Sequence, residues 1–249
     1  FRPALHSKRQ QEGKGGGSMK LARVSNAGLW VEAEGRHFLL DGLHGRPPAP
    51  YCGMDPGWEA ALFQDRYPVD VVAFTHGHPD HFCPQVAARY LAAHPQSAVY
   101  AGPDVLEALR AQGIVNPCYG WDGPGPGGLM AIPTRHIGAQ YRTAPHSSLY
   151  LPGREPLLFT GDASPASSNF FPGGAALQTH ILAATFAFFI GPPFKRVVEQ
   201  QIRPNRAYVL HLPLPQEDSL GLARQIHENL AGCTLPVTLL QLGQQVELA

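Results

Sequence analysis

The chain has 249 residues, enough to bury one substantial core, and its 19 basic residues balance 19 acidic ones. That balance gives no electrostatic reason to expect nucleic acid or an anionic membrane surface as a partner. Four scattered cysteines (Cys52, Cys83, Cys118 and Cys233) without a C-x-x-C pair read as free thiols, whereas twelve histidines are many for this length. Residues Phe1 to Ser18 end in Lys14-Gly15-Gly16-Gly17-Ser18 before Met19 and read as a tag and linker, leaving 19–249 as a single domain. From Met19 the segments Lys20–Val24, Gly28–Ala33 and His37–Leu40 read as short strands, followed by a Gly- and Pro-rich loop from Gly42 to Pro56. Trp58–Arg66 has helical spacing, and Val69–Phe74 is a β-branched apolar run, the pattern of a strand covered on both faces. Helices are expected over Pro84–His94 and Pro103–Gln112, with a strand at Ala98–Tyr100 between them.

In the second half, strands are expected at Leu129–Pro133, Ser147–Leu151 and Pro156–Phe159, then a polar loop over Ala163–Gly174. A helical region over Ala175–Phe189 and a helix over Lys195–Ile202 follow. A strand at Ala207–Leu210, a helix at Ser219–Leu230 and closing strands at Val237–Leu240 and Val246–Leu248 complete the reading. The apolar run Ile181–Ile190 is too short to span a bilayer and reads first as core, with a pocket wall or a homo-oligomer contact as alternatives. A soluble cytoplasmic protein without membrane attachment is the expectation.

Polar residues able to bind metal stand just after the C-terminal ends of apolar strands: Asp41, His76, His136, Asp162 and His211. Side chains so placed are held by rigid elements and face a common edge. The densest group is Thr75-His76-Gly77-His78-Pro79-Asp80-His81. His76 and His78, two apart on extended chain, point to the same side. Asp80 and His81 fall on the following turn, where they can face a second cation. Imidazole and carboxylate donors suit Zn²⁺ best, with Mn²⁺ or Fe²⁺ as alternatives. A merely His-rich surface turn rarely follows a buried strand with three histidines and an aspartate inside six residues.

The segment resembles the H-x-H-x-D-H signature of the metallo-β-lactamase superfamily, and the later polar residues occur in the order that family uses. The resemblance runs from about Met19 to the C-terminus. It implies an α/β (α+β) fold, a four-layer αββα sandwich with two facing mixed sheets flanked by helices. It also implies that His76, His78 and His136 hold one divalent cation, that Asp80, His81 and His211 hold another, and that Asp162 bridges them. Asp41 matches a position that orients a ligand rather than binding metal. In such a site two cations activate a shared water to hydroxide near neutral pH, and Asp80 orients it as the catalytic carboxylate.

Substrate recognition is less legible. His44 in the Gly42–Pro56 loop, and Tyr141, Arg142 and His146 near His136, are the candidates for contact with a small-molecule substrate. The compact chain and Thr160-Gly161-Asp162-Ala163 look more similar to bacterial lactonase or phosphodiesterase-like members than to RNA-processing or flavodiiron branches. The leading expectation is therefore a hydrolase of a small ester-type bond, lactone or phosphodiester. A non-catalytic metal-binding scaffold or sensor is the competing class, and an iron-dependent redox enzyme a third.

Overall fold

The computed structural model describes residues 18–47, 50–170 and 177–248. The segment read as tag and linker falls, except for Ser18, outside the described residues, as do residues 171–174 of the Ala163–Gly174 loop, 175–176 of the helical region expected after it and 48–49 of the Gly42–Pro56 loop. Thirteen strands among the described residues form two mixed sheets. The first has the order β13-β1-β2-β3-β4-β5-β6, built from Gln245–Leu248, Met19–Arg23, Leu29–Ala33, Arg36–Leu40, Val71–Ala73, Ala98–Ala101 and Cys118–Gly120. The second has the order β12-β11-β10-β9-β8-β7, built from Val237–Leu239, Arg206–Leu210, Ile181–Thr185, Leu157–Phe159, Ser147–Leu151 and Met130–Pro133.

Alternation along the strands builds three apolar layers. Leu21, Val31, Leu40, Val71 and Ala73 of the first sheet meet Leu149, Leu157, Phe159, Ile181 and Ala183 of the second in the central core. Residues of opposite parity, among them Ala22, Leu39, Val72 and Val99, face out and are covered by helices. These are α1 (Pro56–Phe63), α2 (Pro84–Ala93) and α3 (Pro103–Ala111), which supply Trp58, Leu62, Tyr90, Leu91, Val105 and Leu109. On the far side Leu158, Leu182 and Val209 pack under a π-helical segment, Phe194–Ile202, and under α4 (Leu222–Asn229). The result is the expected αββα sandwich.

Three of the helices begin with proline, whose fixed φ suits the first turn and whose missing N–H leaves no donor unpaired there. At α1 the Asp55 carboxylate caps the helix by accepting from Trp58 N at 2.9 Å.

One expectation is corrected. The helical region read over Ala175–Phe189 contains instead a strand, β10, pairing in parallel with both β9 and β11. Its five residues Ile181–Thr185 are all buried, and a short strand covered on both faces shows the same unbroken apolar run as a buried helix segment. Only Phe186–Phe188 at its end turns helical, as one 3₁₀ turn. The short strand β6 was not foreseen in the sequence; its Cys118 and Tyr119 are exposed at a sheet edge. The Lys195–Ile202 helix forms, but with π rather than α hydrogen bonding.

Within the first sheet β3 and β4 are parallel. In the second, β9, β10 and β11 are parallel, and β7 runs with them because it is antiparallel to β8, itself antiparallel to β9. The ends of β3, β4, β7, β9 and β11 therefore deliver Asp41, His76, His136, Asp162 and His211 to loops at carboxyl edges, the usual place for a ligand site in such sheets. Among the described residues, no helix is long and apolar enough to cross a membrane.

Candidate metal centre

The five loops converge. Ligand-competent atoms of His76, His78 and His136 lie within 4.8 Å of one another, and so do those of Asp80, His81, Asp162 and His211. Asp162 faces both groups. Its Oδ1 is 3.4 Å from His81 Nε2 and 3.6 Å from His211 Nε2, while its Oδ2 is 3.6 Å from His136 Nε2. Apart from the half-buried His78 and Asp80, all seven side chains are buried.

The approach of the two sheets at this edge requires Gly161, which precedes Asp162. Its φ is +51°, and a Cβ there would stand 2.5 Å from Thr75 Oγ1 and 2.7 Å from Thr75 Cβ. Only glycine accepts both the left-handed backbone and the contact. Asp41 and His211 also take positive φ, +48° and +59°, at their strand ends. Such conformations are uncommon for residues with a side chain and tend to mark sites where the surroundings fix the geometry.

Asp41 sits beneath the histidine turn. Its Oδ1 accepts from Thr75 N at 2.8 Å, and its Oδ2 from Thr75 Oγ1 at 2.5 Å and from His81 Nδ1 at 2.8 Å. Thr75 Oγ1 in turn lies 3.0 Å from His76 Nδ1. Asp41, His76 and His81 also form a third set of ligand-competent atoms within 4.8 Å. Both Asp41 oxygens are already taken by protein donors, so the carboxylate acts as an anchor for the two histidines. His136 is fixed similarly, Nδ1 donating to Ile137 O.

With the Nδ1 atoms engaged in this way, His76 Nε2, His81 Nε2 and His136 Nε2 are buried without a hydrogen-bond partner, whereas His211 turns Nε2 to Asp80 and Asn26 and leaves its Nδ1 unpaired. Buried polar atoms are rarely left unpaired, and bare imidazole nitrogens converging with carboxylates are what a divalent cation takes. The donor set therefore fits such ions.

Electrostatics divide the donors: burial lowers the His81 imidazole, but Asp162 and Asp41 outweigh it and hold it well above its ordinary value. Burial pushes the His76 and His78 imidazoles below their ordinary value, helped by neighbouring histidines, so both are held neutral. Burial alone raises the Asp80 carboxyl, but the His211 hydrogen bond and the charges of His81 and His211 outweigh it and hold Asp80 at about 2. Asp162 is likewise held well below the carboxylate range, burial being overcome by His211 and His81.

The remaining sequence candidates divide. His146 is buried, its Nδ1 2.8 Å from Thr134 Oγ1 and its ring 5.0 Å from that of His76. His44 is buried, with Nδ1 donating to Gly45 O at 2.7 Å. Both leave Nε2 unpaired. Tyr141 is 41% exposed and meets His78 edge-on at 4.7 Å between ring centroids. Arg142 is exposed and makes no hydrogen bond or ion pair to the cluster.

Tyr51, which the sequence places with His44 in the Gly42–Pro56 loop, joins the site, and two further participants, Asn26 and Arg23, escape sequence reading. Tyr51, 39% exposed, packs edge-on against His211 at 4.9 Å, opposite Tyr141, so a phenol stands on each half of the site. Asn26 Nδ2 lies 3.1 Å from His211 Nε2 and 3.3 Å from Asp80 Oδ2. Arg23, 2% exposed, donates to the carbonyls of Ser25, Asn26, Leu240 and Leu212 and so ties the β1–β2 loop to the residue after His211. Nothing in a Ser25-Asn26-Ala27-Gly28 turn distinguishes it from any other strand connection.

A cavity of about 570 Å³ borders the histidine turn on its Gly77–Pro79 side, lined also by Arg46, Cys83, Asp104 and Val105. The four cysteines are unpaired.

The fold is shared with solved structures at low identity. The metallo-β-lactamase fold protein YhfI from Bacillus subtilis superposes with TM-score 0.64 and 15% identity, covering 93% of this chain and 99% of its own. Igni18, a metallo hydrolase from the archaeon Ignicoccus hospitalis, gives 0.62 and 16%, with 93% and 99% covered. The isothiocyanate hydrolase from Delia radicum gut bacteria gives 0.68 and 16%, with 91% and 98% covered. Among curated proteins none matches the chain significantly. The family model of the metallo-beta-lactamase superfamily matches residues 22–198, a span that includes the histidine turn, His136 and Asp162. With that match over more than half its length, the chain belongs to the metallo-β-lactamase superfamily.

Proposed function

We propose that the protein is a metal-dependent hydrolase that holds two divalent cations, Zn²⁺ in preference to Mn²⁺ or Fe²⁺, and cleaves a small ester-type substrate, a lactone or a phosphodiester. The observation that carries this reading is Asp162, one oxygen facing His81 and His211 and the other facing His136, between two clusters in which the Nε2 atoms of His76, His81 and His136 are bare. In it His76, His78 and His136 hold one cation, Asp80, His81 and His211 the other, and Asp162 joins them. When bound, such a pair would supply an activated water and Lewis-acid polarisation of the scissile carbonyl or phosphoryl oxygen.

The chain's own residues do the rest. Asp80, half-buried and ionised, is the accessible carboxylate that accepts a hydrogen bond from the attacking water and points its lone pair at the substrate. Asp41 and Thr75 hold the His76 and His81 rings in one orientation, so the donor set is preorganised. Tyr51 and Tyr141, one on each half, present apolar ring faces and a phenol hydroxyl to a substrate entering between them. His44 offers a buried acceptor beside one half, and His146 a buried, unpaired ring nitrogen beside the other.

The test is metal analysis of the purified protein together with turnover on a generic lactone, bis-p-nitrophenyl phosphate and a simple isothiocyanate. The isothiocyanate is included because one relative of this fold hydrolyses that group. Two cations per chain with lactone or phosphodiester turnover is the expected result. Full loading with turnover of none of them would favour the sensor reading, and isothiocyanate turnover alone would replace the ester assignment.

A further inference from the structure

Three polar termini form a small triangle at the second cluster. His211 Nε2 is 3.0 Å from Asp80 Oδ2, and the Asn26 side-chain amide nitrogen is 3.1 Å from the first and 3.3 Å from the second. Donors bound to one ion at about 2.0–2.2 Å stand about 3.0–3.5 Å from each other, so the triangle has the edge lengths of a coordination face.

The arrangement of hydrogens cannot satisfy all three groups. Should His211 carry its proton on Nε2, it donates to Asp80, and Asn26 Nδ2 then confronts it donor to donor. Should the proton sit on Nδ1, that nitrogen is buried without an acceptor. In either case Asn26 Oδ1 is buried and unpaired, in a residue 0% exposed. A half-turn about Cβ–Cγ exchanges the amide oxygen and nitrogen without changing the shape of the side chain. It places the oxygen at the corner of the triangle, beside two groups that also bind cations.

The main chain keeps Asn26 in place while the amide turns. Its carbonyl accepts from His211 N at 3.2 Å and from Arg23 Nε at 3.1 Å, and Arg23 reaches Leu212 O at 2.7 Å. Residue 26 is thus tied on both sides to the loop that carries His211.

We infer that Asn26 is a further protein ligand of the second cation, through Oδ1, alongside Asp80, His81, Asp162 and His211. The inference rests on the dinuclear reading above. An amide oxygen adds a donor without adding charge, and it suits an ion that takes five or six ligands more than one confined to four.

The experiment is calorimetric titration of cation-stripped wild-type, Asn26→Ala and Asn26→Asp proteins with Co²⁺, followed by a crystal structure of the Co²⁺-loaded wild type. Wild type should take up two ions. Asn26→Ala should bind the second ion roughly tenfold or more weakly and the first unchanged. Asn26→Asp, which keeps an oxygen of the same reach, should hold both ions and guards against a simple folding failure. In the crystal, Asn26 Oδ1 should lie at bonding distance from the second ion. Unchanged binding by Asn26→Ala, or an amide nitrogen still turned to Asp80 in the loaded crystal, would overturn the ligand role and leave the dinuclear reading standing. Uptake of fewer than two ions by wild type would overturn the dinuclear reading itself, and the ligand role with it.

Discussion

Asp41 Oδ2 accepts from His81 Nδ1 at 2.8 Å, between two side chains that are both 0% exposed. The same carboxylate accepts from Thr75 N and Thr75 Oγ1, so one buried anion fixes the turn from below. Replacing Asp41 by Ala strands three buried donors. At about 1–3 kcal/mol for each unsatisfied group, partly relieved by water entry, a loss of about 3 kcal/mol in folding stability is expected by urea denaturation. Cation affinity should fall roughly 10- to 100-fold, the usual effect of removing the group that orients a ligating histidine.

His78 is the contrasting case. It is half-buried on the loop, and its side chain makes no hydrogen bond or ion pair among the described residues, so His78→Ala should cost under about 1 kcal/mol of stability. The same change should abolish hydrolysis and lower the bound cations below two per chain. Full activity in a folded His78→Ala protein would remove the turn from the reaction.

Gly161→Ala tests the contact between the sheets. A methyl at that position meets Thr75 Oγ1 at 2.5 Å on a backbone with φ +51°. Strain and clash together predict a loss of about 2–4 kcal/mol, with cation affinity reduced because Asp162 moves with its neighbour. Thr75→Ser in the same chain should not restore stability, since the hydroxyl oxygen, the nearest atom, remains.

The pH dependence of the cation-free protein should carry the mark of His44. Burial pushes its imidazole down to about 4 from an ordinary 6.5, with the Gly45 hydrogen bond opposing only in part. The folded state therefore binds this proton less readily than the unfolded chain does. Stability from this group is full above pH 6.5, falls as the pH drops below 6.5, and levels off below about 4. The change across that window is on the order of 3 kcal/mol. Urea midpoints in chelator at pH 7 and pH 4.5 should differ less for His44→Gln than for wild type; an identical difference would show that His44 is not held neutral.

Much of the centre is legible in the sequence because its densest part is local. Thr75 to His81 carries four donors in one turn after an apolar strand, and Asp41, His136, Asp162 and His211 each follow a strand whose β-branched or alternating pattern marks its end. The β-branched run Val71-Val72-Ala73-Phe74 marks a strand covered on both faces, although which of its residues face the central core and which the outer helices emerges only from packing. Where the pattern vanishes, so does the reading. Ile181–Thr185 is buried on both faces, and only its pairing with β9 and β11 makes it a strand.

The rest belongs to the tertiary structure. Asn26 meets Asp80 across 54 residues and His211 across 185, and Arg23 reaches Leu212 across 189. A turn asparagine and a strand arginine look ordinary in one dimension, because their chemistry is set by what two sheets bring against them. Thr75 becomes a relay between Asp41 and His76 only when β3 and β4 lie side by side. The sequence by itself determined the kind of donors and the strand ends that present them. Which donors face one another, and which are left bare, depended on packing two sheets at a glycine too small to keep them apart.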